Sequence, residues 1–113
     1  MDAGERAMVE LLNHGKRPDA VFCVNDAVAL GAYKVLRRAG ISVPEEMAMA
    51  GFSDVMVAEM LEVPLTSVRQ EAEALGRETA RLLLARLDGL LPAEEHLRHM
   101  IPTELVFRAS TGD

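Results

Sequence analysis

The sequence predicts one α/β domain built on a parallel sheet. Three observations lead there. Short apolar runs of strand length alternate with stretches of helical periodicity, the first two runs are spaced as in a strand–helix–strand unit, and Gly or Pro marks most of the junctions. At 113 residues the chain has the size of a single compact domain, and its Gly and Pro content is near the globular average.

Ala7, Met8, Leu11 and Leu12 recur at helical spacing behind Ala3 and Gly4, and Gly15 ends that first helix ahead of Lys16, Arg17 and Pro18. Residues 20–24 are apolar on both faces and partly β-branched, the signature of a strand buried in a parallel sheet, and the run stops at Asn25. Asn25 and Asp26 are both N-cap residues for a helix over 27–39. Lys34, Arg37 and Arg38 suit the negative end of its dipole, and Gly40 suits the residue just past it. Ile41 to Pro44 turns the chain, and 47–50 is a second buried strand closed by Gly51. A crossover of this length returns parallel and right-handed. A short helical segment spans 54–62, and Pro64 precedes a small strand around Thr66, Ser67 and Val68. A long helix over 71–87 lines up Leu75, Thr79, Leu82, Leu83 and Leu87, with Gly89 terminating it. Residues 90–95 form a loop, and 97–109 hold two strand-like pieces broken at Pro102, of which Leu105, Val106 and Phe107 are the stronger.

Eighteen acidic side chains against twelve Lys and Arg give a formal charge of −6. No basic run concentrates the positive charge, so direct contact with nucleic acid by this chain is not expected. Cys23 is the lone cysteine and sits in an apolar run, a buried reduced thiol suited to the cytoplasm. Asp2, Glu5, Arg6 and Glu10 occupy the place where a signal peptide needs apolar residues, and the longest charge-free runs have seven residues. No membrane segment is expected.

In an open parallel sheet, ligands bind beyond the carboxyl ends of the strands, where helix N-termini present free N–H groups. Three polar clusters fall there: Asn25 and Asp26 after the first strand, Ser53 and Asp54 after the second, Arg69 and Gln70 after the third. For Asp26 and Asp54 the balance favours ordinary helix capping. Asn25, Ser53 and Gln70 carry amide or hydroxyl groups equally suited to sugar hydroxyls or the ring atoms of a base. Catalytic patterns are weak. Gly51, Phe52, Ser53 and Asp54 begin like a nucleophile elbow, but Val55 stands where G-x-S-x-G needs glycine. The glycines form neither G-x-G-x-x-G nor a P-loop, so no nucleotide cofactor is expected. His96 and His99, beside Glu94 and Glu95, read as a solvated loop rather than a metal site, and His14 as an exposed helix end. Met47, Met49, Met56 and Met60 read as packing residues.

The run Pro18, Asp19, Ala20 to Asp26, continuing through Ala29, Leu30, Gly31 and Ala32 to Gly40, Ile41, Val43 and Pro44, resembles the effector-binding domain of LacI/GalR-type transcriptional regulators. So do Gly51, Phe52, Ser53, Asp54, then Pro64 through Gln70, and finally Pro102, Glu104, Leu105, Val106, Arg108, Ser110 and Thr111. The likeness covers nearly the whole chain from Gly4, and the chain corresponds to about the last third of such a regulator.

That resemblance implies a truncated, three-layer α/β lobe of the periplasmic-binding-protein-like fold. Its two lobes close on a small effector, a sugar or a purine, and control a separate helix-turn-helix headpiece that lies outside these residues. The resemblance makes the chain an effector sensor rather than an enzyme. It puts Asn25 at a ligand hydrogen-bonding position, Gln70 at a ligand-facing place near the crossover, and Ser53 where many members carry Asp. With Asp54, these are the candidate ligand residues. Crossings between lobes fall near Arg69 and Arg98, so the helix at 71–88 would cover the sheet of the missing lobe and its leucines would lack a partner. Self-association, as a homodimer or higher, is expected from that face and from the family's dimer surface at Leu30, Met60 and Leu61. The alternative from a different class is a stand-alone enzyme or a receiver-like signalling module using Asp26 and Asp54. A receiver needs a lysine after a later strand, and Lys16 and Lys34 both fall elsewhere.

Overall fold

Helix α1 (Asp2–Leu12) buries Gly4 and Met8 against α2 (Asp26–Arg38), and at Gly4 the two helices come so close that an added Cβ would stand 2.1 Å from the Val28 carbonyl oxygen. Ion pairs from Glu5 to Arg38 at 3.2 Å and to Lys34 at 3.7 Å flank that contact. The computed structural model describes residues 2–112. It contains two compact units, one made of the chain up to Arg69 together with the part from Glu104, the other Gln70–Thr103.

In the first unit, β1 (Ala20–Phe22) leads into α2, which has seven buried residues and packs against both α1 and the sheet, and the chain returns as β2 (Ala48–Ser53). After the four-residue helix α3 (Val57–Met60) comes β3 (Thr66–Arg69). The spatial order is β1-β2-β3-β4, with β4 (Glu104–Val106) following the second unit in sequence. β1 pairs parallel with β2 and β2 parallel with β3, as the crossover spacing predicts, while β4 runs antiparallel to β3. The result is a mixed α/β fold dominated by its parallel strands. Residues 97–101, predicted as strand-like, form no strand.

The core gathers Met8, Cys23, Ala29, Ala32, Tyr33, Leu36, Met47, Met49, Ala58 and Leu65 on one face of the sheet. Full burial of a Leu or Met side chain contributes ~1.5–3 kcal/mol, so a core nearly free of aromatics is held by many medium-sized contributions. The other face carries Phe22, which is 66% exposed, and beyond β1 Val24 is 71% exposed. A closing 3-10 turn (Ala109–Thr111) stitches the C-terminal segment to the sheet. The buried Ser110 Oγ donates to the Met49 carbonyl at 2.6 Å and accepts the Thr66 N–H at 2.8 Å.

The second unit holds α4 (Ala72–Leu87), none of whose residues is buried. Leu75, Leu83, Leu84 and Leu87 are exposed. Exposed pairs run along it: Arg77 with Glu73 at 2.5 Å, Arg81 Nε with Glu78 at 3.0 Å, and His99 Nδ1, from beyond the helix, with Glu78 at 2.7 Å. Among the described residues no helix is long and apolar enough to cross a membrane.

Candidate functional site

β2 differs from its predicted end in a way that builds the site. The strand does not close at Gly51; it continues to Ser53, which pairs in register with Arg69 at the end of β3. Ser53 (φ 103°) and Asp54 (φ 53°) then both take positive φ, a region costly for residues with a Cβ, at about 1–3 kcal/mol each. Surrounding bonds hold the turn. The Asp54 N–H donates to Ser67 Oγ at 3.1 Å and the Val55 N–H to Asp26 Oδ2 at 2.9 Å.

Helix capping, favoured by the sequence at both aspartates, occurs at neither. Asn25 is the cap of α2: its backbone is extended and its Oδ1 accepts the Val28 N–H at 2.9 Å. Asp26 is the first residue inside the helix and turns inward at 1% exposure, accepting from Ser67 Oγ at 2.7 Å and from Val55. Glycine at 51 makes this possible, since a Cβ there would lie 2.2 Å from Asp26 Oδ1. Asp54 likewise caps nothing, because α3 begins after Met56 without a side-chain cap. Its side chain is 4% exposed between two guanidinium groups, with Oδ1 2.6 Å from Arg108 Nη1 and Oδ2 accepting from Arg69 Nε at 2.8 Å. Arg108, opposing the cost of burial and aided by Arg69, holds the Asp54 carboxyl below the usual carboxylate range. Arg108 also donates to the Leu65 carbonyl at 2.7 Å and to Glu59 at 3.1 Å. Burial, and secondarily the nearby Asp26, pushes the Cys23 thiol up, which keeps it protonated and inert.

Asn25 and Ser53 therefore stand at the carboxyl ends of adjacent parallel strands, bound together through Asp26. Gln70 follows β3 directly and begins the second unit. Asn25 uses only its oxygen in the cap, and its amide carries two N–H donors besides. Asp54 is otherwise engaged: both oxygens face arginines, so it holds the turn rather than offering lone pairs outward. Leu30 and Leu61 are half-buried, and Met60 is exposed at the end of α3. What spacing could not reveal is the Ser67 and Arg108 pairing with the two aspartates, since these partners lie between 41 and 54 positions away or arrive on another strand. The matching excess of polar residues on short strands was the available signal.

A parallel-dominated sheet with polar groups along its carboxyl edge, left and re-entered by the chain at neighbouring strands, is the architecture of an open α/β domain, a class in which ligands bind beyond the strand ends. The sequence matches the periplasmic binding protein-like domain family over residues 1–111, and the chain belongs to that family as the C-terminal part of the effector domain of LacI/GalR-type regulators. It is 45% identical over 109 residues to the HTH-type transcriptional regulator CelR of Thermobifida fusca, covering 96% of this chain and 32% of that protein. The solved transcriptional regulator CelR–cellobiose complex superposes with a TM-score of 0.90 at 45% identity, over 96% of this chain and 33% of the other. The lac repressor dimer bound to operator and the anti-inducer ONPF gives 0.86 at 29% identity, over 96% and 32%. The chain thus spans about a third of the length of these relatives, which are transcriptional regulators rather than enzymes.

Proposed function

We propose that this chain is the effector-sensing portion of a sugar-responsive transcriptional regulator, and that Asn25, Ser53 and Gln70 supply polar contacts to the sugar. The observation that carries the reading is the similarity, along almost the entire chain, to a regulator solved with cellobiose. The chemistry of the edge agrees. An amide N–H pair at Asn25 and a hydroxyl at Ser53 match sugar hydroxyls, which both donate and accept. Ser53 offers a hydroxyl, a weaker acceptor than a carboxylate, which favours a ligand held by many modest bonds. Asp54 acts through the turn it holds. No cofactor or metal enters this reading, and a purine is the second ligand class to be compared.

Ligand binding regulates by differential affinity for two arrangements of the intact regulator, and the DNA-reading part lies outside these residues. The acidic balance of this chain supports a sensing role without its own nucleic-acid contact. The exposed leucines of α4, together with Leu30, Met60 and Leu61, support self-association of the chain as a homodimer or larger assembly. An enzyme using Asp26 and Asp54 is disfavoured because each carboxyl is already committed within the fold.

Thermal denaturation with increasing cellobiose, and separately with a purine base, tests the ligand. A ligand present at 100 times its Kd stabilises the folded state by about 2.7 kcal/mol. A rising midpoint with cellobiose alone supports the sugar reading; a rise with the purine alone replaces it. Light scattering at micromolar concentration tests the assembly, and a stable monomer argues against it.

A further inference from the structure

Beside the groups proposed to face a ligand lies one that cannot touch it. Asp26 is 1% exposed, yet its two oxygens tie the segment after β1 to two others: Oδ2 accepts the N–H of Val55 beyond β2, and Oδ1 accepts the Ser67 hydroxyl from within β3. Ser67 Oγ passes the link onward by accepting the Asp54 N–H at 3.1 Å. The backbone of Asp26 itself follows Asn25, whose side chain closes α2 on Val28. From this geometry we infer that Asp26 is the positioning residue of the sugar edge. It fixes the cap at Asn25 relative to the positive-φ turn at Ser53, and it does so through hydrogen bonds rather than through its charge.

Two further observations bear on this. Ser53 and Asp54 sit in conformations that side-chain-bearing residues leave unless the surroundings over-determine them, and the bonds to Asp26 and Ser67 fall on the two N–H groups that follow Ser53. Gly51 leaves a space that the Asp26 carboxyl fills, so β2 is shaped around this side chain. The inference rests on the reading of this edge as ligand-facing, but its central claim, that the two loops are coupled, can be measured without any ligand.

The experiment is amide hydrogen exchange by NMR on the 113-residue chain, comparing Asp26→Ala and Asp26→Asn with the parent. Asparagine removes the charge and keeps both partners, its Oδ1 accepting from Val55 and its Nδ2 donating to Ser67 Oγ, with that bond reversed and the Ser67 hydroxyl proton left without its acceptor. Asp26→Ala is expected to speed exchange about tenfold or more at Val55 and also at Val28, to which Asp26 makes no hydrogen bond; Asp26→Asn is expected to recover most of the protection at both. Should Asp26→Ala fail to fold, Ser67→Ala breaks one link and is expected to affect the same two amides more weakly. An unchanged Val28 beside an accelerated Val55 would mean that the loops are independent and overturn the inference, as would an Asn variant no better than Ala. In a parallel titration, Asp26→Ala is expected to weaken a cellobiose response about tenfold and Asp26→Asn to leave it near the parent's. Coupled amides without any cellobiose response in the parent would remove the sugar reading while leaving the loop coupling established.

Discussion

Replacing Gly51 by alanine sets two rules of protein stability against each other. Strand glycines are poor residues, and Gly51 has no positive φ to justify it, so backbone propensity alone makes Gly51→Ala stabilising by roughly 0.5–1 kcal/mol. Packing says the reverse. The new methyl carbon would stand 2.2 Å from Asp26 Oδ1 and 3.0 Å from Leu65 Cδ2. Relief of the first contact requires a movement of about 1 Å, and the carboxyl is held at 2.7 Å by Ser67 and 2.9 Å by Val55. Giving up two buried bonds costs about 1–3 kcal/mol each, so the net loss is roughly 1–5 kcal/mol after the propensity gain. For a domain near this size each kcal/mol shifts Tm by roughly 4 °C, which makes the expected fall about 4–20 °C. Thermal denaturation followed by circular dichroism at neutral pH reads it directly. A midpoint equal to or above the parent's would refute the argument that β2 is shaped around Asp26.

The remaining predictions are smaller. Gly76→Ala on the open surface of α4 meets nothing within 4 Å and is expected to stabilise the second unit by about 0.5–1 kcal/mol, read as increased helical signal. Ser110→Ala removes the partner of both the Met49 carbonyl and the Thr66 N–H and is expected to cost about 1–3 kcal/mol in denaturant unfolding. Asp54 titrates below its ordinary value, so its contribution to stability is complete above the unfolded carboxylate pKa of about 3.9 and disappears as pH falls through the lower folded value. Asp54→Asn is accordingly expected to be less stable than the parent at pH 7 and to converge with it in acid; parallel stability curves across that range would disprove the assignment.

The strand–helix–strand core was legible because its signals are local. The apolar runs, the Asn25 cap, the basic last turn of α2 and Gly40 each act within a few residues, and the parallel pairing of β1, β2 and β3 follows from the crossover lengths. Other features were not local. Gly51 reads as a terminator until the Asp26 carboxyl beside it is known, and that contact crosses 25 positions of sequence, from 26 to 51. Asp26 and Asp54 look like caps because a short acidic side chain before a helix has that role by default; here burial and the arginines and Ser67 outcompete the neighbouring N–H groups. The antiparallel arrival of β4 depends on the route taken by the second unit, which no short-range pattern encodes. Asn25 and Ser53 could be nominated from strand ends alone, whereas the groups that hold them required coordinates.

The register of β3 and β4 has a practical corollary for engineering. Arg69 lies directly opposite Glu104 in an antiparallel pair, so the 70–103 excursion departs and returns at adjacent points of one ladder. A tight Asn-Gly hairpin could bridge those points and delete the excursion outright, Gln70 included, yielding a miniature of the first unit small enough for routine spectroscopy.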